Sequence, residues 1–588
     1  MCGIIGYTGD AEATPILVSG LKALEYRGYD SAGIALAAGE NIATVKAVGR
    51  IAALEEKLTV SSPAGKCGIG HTRWATHGCP TESNCHPHLS YGGKFALVHN
   101  GIIENCRKLR VLCEKRGVTP KSDTDSEIIA HLLELEYDGD PLAALARVTD
   151  MLQGSYALGV ICSDFPHEIF AAKRRSPLII GIGRGVGCVS SDGAAMPDGV
   201  EQIIVLADGQ TARVTDGDAD VYFRGRKVKI ERAAFASVKK AAGLAGYPHY
   251  MLKEMYEQPE AIARTVTYEC RGTGGGNVRL KRAGVALVGC GSSYHAALAA
   301  APMLERATGR SVSATLASEF ISSEFVPSEG RQCVLLSQSG ETADTIAAAE
   351  EAKRRGYTTL AVANVHASTL TRICDNAFCT RAGPEISVAT TKGFTTQVAA
   401  LAALAAGLSG NAKLTADIKQ LPFAAEKALA DSEQTAKDIA PMLAGAKCVF
   451  FTGRKADYGT ALEGALKLRE ITYIPALGIA SGELKHGSIS LIEKGTPVVA
   501  VCTDDALVPK ALLAIATITA RGGVVIGVTD NDEVASACHR VLRIPHINPL
   551  LSAAIAVIPL QRLAYETALL LGRDIDKPRN LAKSVTVE

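Results

Sequence analysis

The sequence predicts an α/β multidomain protein: a layered α+β first part with stacked sheets, then two doubly wound parallel-sheet domains. Three observations predict it. The second half repeats itself, shifted by roughly 165 residues. The first part carries short strand-like apolar runs with few helical stretches between them. The 588 residues are 47% hydrophobic but only 5% aromatic, a composition of compact α/β packing and too long a chain for one core.

In the first part, Gly33–Leu36, Phe95–Val98, Tyr156–Ile161 and Leu178–Ile182 read as strands, and Ser126–Leu135 and Pro141–Leu152 have helical spacing. From Asp208 to Tyr250 the chain turns polar and irregular (Thr211–Asp220, Gly243–Pro248), which marks a linker. Beyond it, Val285–Gly289 and a helix ending near Glu305 match Val449–Gly453 and a helix ending near Glu470. Cys333–Ser337 matches Val498–Cys502, Leu360–Asn364 matches Val524–Asp530, and Asn376–Thr380 matches Val541–Pro545. Strand–helix alternation on short loops means parallel sheets with right-handed crossovers, which bind ligands at the carboxyl ends of their strands. The expected divisions are 1–240, a linker 241–277, repeats 278–415 and 440–575, and a tail 576–588.

Charge is balanced, 62 basic against 61 acidic residues, so neither nucleic acid nor an anionic membrane is an expected partner. No basic-then-apolar leader opens the sequence. The longest apolar runs, Val398–Leu408 and Ala553–Leu560, fall short of the ~20 residues of a membrane span. Sixteen unevenly spaced cysteines read as reduced thiols of a cytoplasmic protein.

Cys2 follows an initiator methionine. Trimming would put a thiol and a free α-amine on one residue, and with reference pKa values near ~8.5 and ~7.7–8.0 the amine can serve as the thiol's base. Five polar stretches accompany it: Leu24–Gly33, His71–Gly78, Asn84–His88, His99–Asn105 and Ser122–Glu127. The sole tryptophan, Trp74, lies between an arginine and two histidines. Asn100-Gly101 offers a side-chain amide and an unobstructed backbone N–H to an oxyanion; the same dipeptide also reads as a hairpin turn. His77, Cys79, Cys85, His86 and His88 are close in sequence, but their spacing is not that of a zinc ribbon, and no metal is expected. Gly181–Gly187 is glycine-rich with no helix after it, a weak phosphate loop.

In the first repeat, Ser337-Gln-Ser-Gly-Glu-Thr342 joins a strand to a helix, where backbone N–H groups and hydroxyls make a dianion cradle; Gly289–Ser293 is a second such turn. The second repeat has no matching hydroxyls at Thr503–Ala506, so one repeat binds and the other supports. Lys467 and Glu470, three apart on one helix face, form either a converging acid–base pair or a solvated ion pair.

Taken together these motifs resemble, over essentially the whole length, the glutamine–fructose-6-phosphate aminotransferase family. The first part is similar to a glutaminase domain of the N-terminal-nucleophile hydrolase type, and the repeats to sugar isomerase (SIS) domains. The resemblance implies that Cys2 attacks the glutamine amide, with Asn100 and Gly101 holding the oxyanion. Arg73 would pair with the substrate carboxylate and Asp125 with its ammonium. Arg27, Thr76 and His77 would shape the pocket, and Trp74 would gate the exit of ammonia. Ser293, Ser337, Gln338, Ser339 and Thr342 would hold fructose 6-phosphate, with Val388 and Thr390 lining the sugar. Glu470, beside Lys467, would move the C1–C2 proton, His486 (from a neighbouring subunit) would open the ring, and Lys583 would contact or form an imine with the ketone. Pro475–Gly482 departs from the family's usual segment, which bears on the site's lid. The implied product is glucosamine 6-phosphate, in the first step of hexosamine synthesis, made without a cofactor by a homodimer or higher homo-oligomer. The rival readings are a phosphoribosyl-transferring amidotransferase, disfavoured by the tandem repeat, and a sugar-phosphate-binding regulator, disfavoured by the intact Cys2, Glu470, His486 and Lys583.

Overall fold

The structure, a computed structural model, describes residues 2–39, 41–74, 78–235, 243–270, 284–327, 330–366 and 368–585. The chain forms two compact units, 1–242 with 584–588, and 243–583.

The first unit stacks an eight-stranded sheet on a seven-stranded one. Gly3–Gly9 runs antiparallel between Cys67–Arg73 and Val186–Ser190, and in the other sheet Gly154–Cys162 runs between Phe95–Ile103 and Ile169–Arg174. Ile4, Ile69, Val98, Ile161 and Val189 fill the space between the sheets. Helices cover both outer faces: Ala13–Leu24 packs Leu17 and Leu21 on Ile5 and Ile34, while Ser126–Leu135 packs Ile129 and Leu133 on Leu97 and Leu158. Central strands are thus buried on both faces, which is why they read as continuous apolar runs rather than alternating ones.

Three expectations change here. Thr211–Asp220, read as linker, spans the paired strands Gln210–Val214 and Ala219–Phe223 of the seven-stranded sheet; Gln210, Thr211, Arg213 and Asp220 interrupt their apolar residues, hiding the pattern. Asn100-Gly101 is not a turn but lies inside the strand Phe95–Ile103. Gly181–Gly187 belongs to the hairpin of Ile179–Gly183 and Val186–Ser190.

The second unit holds two five-stranded parallel sheets with the same strand order. The first runs Val312–Leu316, Val285–Gly289, Gln332–Ser337, Thr358–Ala363, Asn376–Cys379. The second runs Ala476–Ala480, Val449–Gly453, Pro497–Val501, Val524–Thr529, Arg540–Arg543. The segment 475–482, expected to belong to a lid, is therefore mostly the edge strand of the second sheet. Helices Ser292–Thr308, Lys392–Ser409, Leu421–Ala444, Ala456–Thr472 and Ala553–Leu570 share one apolar core with both sheets. Ala553–Leu570 is long and apolar enough to cross a membrane, yet 89% of it is buried in protein. Within the stretch 241–277, Tyr250–Tyr256 and Gln258–Cys270 are helices whose Met251, Met255 and Ile262 join that core.

Candidate active sites

The first site gathers at the carboxyl end of Cys67–Arg73 and within Phe95–Ile103. Cys2, Arg73, Trp74, His86, His99, Gly101, Thr124, Asp125 and Ser126 line a small cleft. Cys2 Sγ lies 3.4 Å from the Trp74 N–H nitrogen and 3.5 Å from its carbonyl oxygen. Burial pushes the Cys2 thiol up, while the Trp74 backbone and Arg73 pull it down; a proton acceptor is needed before it can attack.

Asn100 Nδ2 donates to the Cys2 carbonyl at 3.0 Å, and its Oδ1 is 3.1 Å from His71 Nε2. Since Nε2 also faces the His99 carbonyl at 3.1 Å, that nitrogen carries the proton and orients the amide. Burial lowers the His71 pKa to about 3, so the ring stays neutral. Gly101 has φ 143°, and a Cβ there would lie 2.0 Å from the Ser155 carbonyl oxygen; only glycine fits this strand pairing.

Asp125 does not cap the helix it precedes. One oxygen accepts the Ile103 N–H at 2.8 Å and the other the Ser126 hydroxyl at 3.2 Å, which fixes the carboxylate in the cleft. Arg73 donates to the Gly78 carbonyl at 3.1 Å. Arg27 is buried and pairs with Asp192. Thr76 and His77 lie outside the described residues. Of the other residues weighed as metal ligands, Cys79 is exposed, Cys85 donates to the Thr81 carbonyl at 3.1 Å, His86 stacks on His71 and accepts from the His99 N–H, and His88 Nε2 is 3.1 Å from Thr124 Oγ1.

The second site lies at the carboxyl ends of the first parallel sheet. Ser337 Oγ is 2.9 Å from Thr342 Oγ1 and accepts the Gly340 N–H at 3.0 Å; Ser339 Oγ accepts the Glu341 N–H at 3.1 Å. This tight, hydroxyl-rich turn opens the helix Ala343–Arg354, as an anion cradle requires. Ser293 Oγ accepts from Gln397 Nε2 at 3.0 Å. Gly393 marks a convergence: a Cβ there would meet Thr390 Oγ1, Glu385 Oε2 and Gln338 Cγ. The Val388 N–H donates to the Asp576 carbonyl at 3.0 Å.

Lys467 is not half of a solvated surface pair. It is fully buried, 2.7 Å from Glu470 Oε2 and 3.4 Å from Glu463 Oε1. Glu463, absent from the sequence reading, also takes His295 Nδ1 and Ser292 Oγ at 2.8 Å each. Burial opposes its ionisation, but Lys467 and His295 hold the Glu463 carboxyl below its usual range.

Lys583 Nζ donates to Glu385 Oε2 at 2.6 Å. Glu385, also missed, further accepts from Thr390 Oγ1, Thr391 N and Gly393 N. Burial works against its charge, yet Lys583 and these donors bring its pKa to about 2. His486 is exposed, on the loop after the short turn Glu483–Lys485; the structure does not bring it to Glu470 or Lys583 through any hydrogen bond.

A cysteine-lined cleft in a stacked-sheet unit, in one chain with paired parallel-sheet repeats that carry a hydroxyl-rich turn, is the arrangement that an amidotransferase coupled to a sugar-phosphate isomerase requires. The chain matches the glutamine amidotransferase domain over residues 71–196 and the SIS domain over 281–407 and 442–571. It is 44% identical over the full length of both chains to the glutamine–fructose-6-phosphate aminotransferase (isomerizing) of Symbiobacterium thermophilum, and 42% identical, again over both full lengths, to that of Caldanaerobacter subterraneus subsp. tengcongensis. The solved C-terminal domain of glucosamine-fructose-6-phosphate aminotransferase from Francisella tularensis superposes with a TM-score of 0.54 at 35% identity, covering 57% of this chain and 100% of that one. The chain belongs to the glutamine–fructose-6-phosphate aminotransferase (isomerizing) family.

Proposed function

We propose that the protein converts L-glutamine and D-fructose 6-phosphate to L-glutamate and D-glucosamine 6-phosphate, as a cytoplasmic homo-oligomer of two or more chains. The observation that carries this reading is one chain holding both the Cys2 cleft and the Ser337–Thr342 cradle, in a family whose relatives match it end to end. The described cysteines are all free thiols, in keeping with a reducing compartment.

In the first half, the α-amine of a trimmed Cys2 takes the thiol proton and the sulfur attacks the glutamine amide carbon. The oxyanion is received by Asn100 Nδ2, aimed by His71, and by the Gly101 N–H. Collapse expels ammonia and leaves a thioester, which water hydrolyses to glutamate. Arg73 suits the substrate carboxylate as a planar fork, and Asp125 its ammonium; Arg27, Thr76 and His77 complete the pocket and Trp74 guards the ammonia's exit.

In the second half, Ser337, Gln338, Ser339 and Thr342, with Ser293, hold the phosphate, while Val388 and Thr390 line the sugar. His486 of a neighbouring subunit opens the ring, Lys583 engages the C2 ketone, and ammonia replaces the C2 oxygen. Glu470, aimed by Lys467, moves the proton between C1 and C2. Passing ammonia internally keeps it from protonation and loss to water. The divisions proposed are a glutaminase domain 1–240, a connecting segment 241–277, SIS domains 278–415 and 440–575, and a catalytic tail 576–588. The test is to assay the full chain for both partial reactions: Cys2→Ala should abolish glutamate release yet keep interconversion of fructose and glucose 6-phosphates, whereas loss of neither activity would refute the assignment.

A further inference from the structure

Tyr473 ends the helix Ala456–Thr472, which carries Lys467 and Glu470, and it does so with φ 66° and ψ 11°. This left-handed position is the one glycine ordinarily fills after a helix, and it is unfavourable for a bulky side chain. Glycine would end the helix with less strain, so an aromatic residue held there points to a second task.

The task is visible in its contacts. Tyr473 Oη accepts the backbone N–H of Arg579 at 2.7 Å. Two guanidinium groups lie over the ring, Arg579 at 4.2 Å and Arg573 at 5.2 Å from its centroid. Arg579 is four residues before Lys583, in the same terminal segment. That segment is fastened upstream at Asp576, whose carbonyl accepts the Val388 N–H at 3.0 Å and whose carboxylate accepts the Tyr250 and Met251 N–H groups at 2.8 Å each. Downstream it is fastened by the Lys583–Glu385 pair. Tyr473 is the fastening between them, and the only one of the three that adjoins the helix of Lys467 and Glu470.

We propose that Tyr473 is a positioning residue for the isomerase reaction. It locks the terminal segment to the end of the Lys467–Glu470 helix, so that Lys583 and Glu470 act on one bound sugar. The inference rests on the roles proposed above for Lys583 and Glu470.

The experiment compares Tyr473→Gly, Tyr473→Phe and Lys583→Met with the wild-type full chain. Hydrogen–deuterium exchange is followed in peptides covering 573–585, alongside synthesis and glutaminase kinetics. Glycine keeps the helix end and deletes the clamp; phenylalanine keeps the ring and deletes only the acceptor. Losing one hydrogen bond and the stacked cations should speed tail exchange by about tenfold or more in Tyr473→Gly. Its kcat for synthesis should fall similarly with KM for fructose 6-phosphate changing less, glutaminase turnover should be unchanged, and Tyr473→Phe should lie between. Unchanged tail exchange in Tyr473→Gly overturns the lock. Faster exchange with unaltered synthesis, when Lys583→Met has lost synthesis, overturns the positioning role. Full synthesis by Lys583→Met would instead refute the role given to Lys583, and tail exchange alone would then decide whether Tyr473 is the lock.

Discussion

Lys583, five residues from the end of the chain, donates a 2.6 Å hydrogen bond to Glu385, 198 residues earlier, with both side chains buried. A buried ion pair is costly to leave half-made, by about 3–5 kcal/mol when one partner is removed. Glu385 therefore has the means to hold the terminal segment in place.

Glu385→Gln should release that hold. Lys583 escapes the penalty by leaving the site, so isomerisation and synthesis should fall by about tenfold or more, while glutamine hydrolysis stays normal. Steady-state assays of both half-reactions check this; normal synthesis would show that Glu385 only packs.

Glu254 supplies a pH dependence. Burial and the nearby Glu385 push its carboxyl up from 4.5 to about 8. A folded-state pKa above the unfolded one means the folded protein binds the proton more tightly, so this contribution is full below the unfolded value and lost as pH rises through about 8. Glu254→Gln keeps the oxygen that accepts the Ile386 and Ser387 N–H groups but cannot ionise. Its melting temperature should fall less than that of the wild type between about pH 6.5 and pH 9.

Cys2 should work only with its own amine free. A variant with a retained N-terminal extension should lose glutaminase activity and still interconvert fructose and glucose 6-phosphates. Glutamate release at the normal rate would exclude the amine as base. Asn100→Ala, which removes one oxyanion donor, should lower glutaminase kcat by about 10²–10³.

How much of this could be read from sequence depended on where the partner of each residue lay. Val285–Gly289 and Val449–Gly453 are buried throughout, so apolar runs revealed them. Val312–Leu316 is an edge strand with mostly part-exposed residues, and its Ser313 and Thr315 break the run; Ala476–Ala480, the edge strand of the second sheet, is apolar but only five residues long, and its place in the sheet comes from pairing with Val449–Gly453. The residues of the cradle and of the Cys2 cleft come in short motifs and could be named. Glu385, Glu254 and Glu463 could not, because a buried carboxylate looks like any surface one until its partners arrive: Lys583 for Glu385, Ile386 for Glu254, and His295, 168 residues away, for Glu463.

Glu470 is where the mechanistic and the merely structural readings differ most. As a plain ion-pair partner of Lys467, Glu470→Gln would leave activity near normal. As the group that moves the C1–C2 proton, its loss removes a term of about 10²–10⁴ in rate. Phosphosugar affinity and glutaminase turnover should both survive the change.

The most direct test of the coupled reaction supplies glutamine labelled with ¹⁵N in its amide, together with fructose 6-phosphate, to the full chain in a buffer containing unlabelled ammonium. The account predicts that glucosamine 6-phosphate forms in step with glutamate and carries the label undiluted. Glutamate formed without amino sugar, or amino sugar carrying the solvent's unlabelled nitrogen, would contradict it.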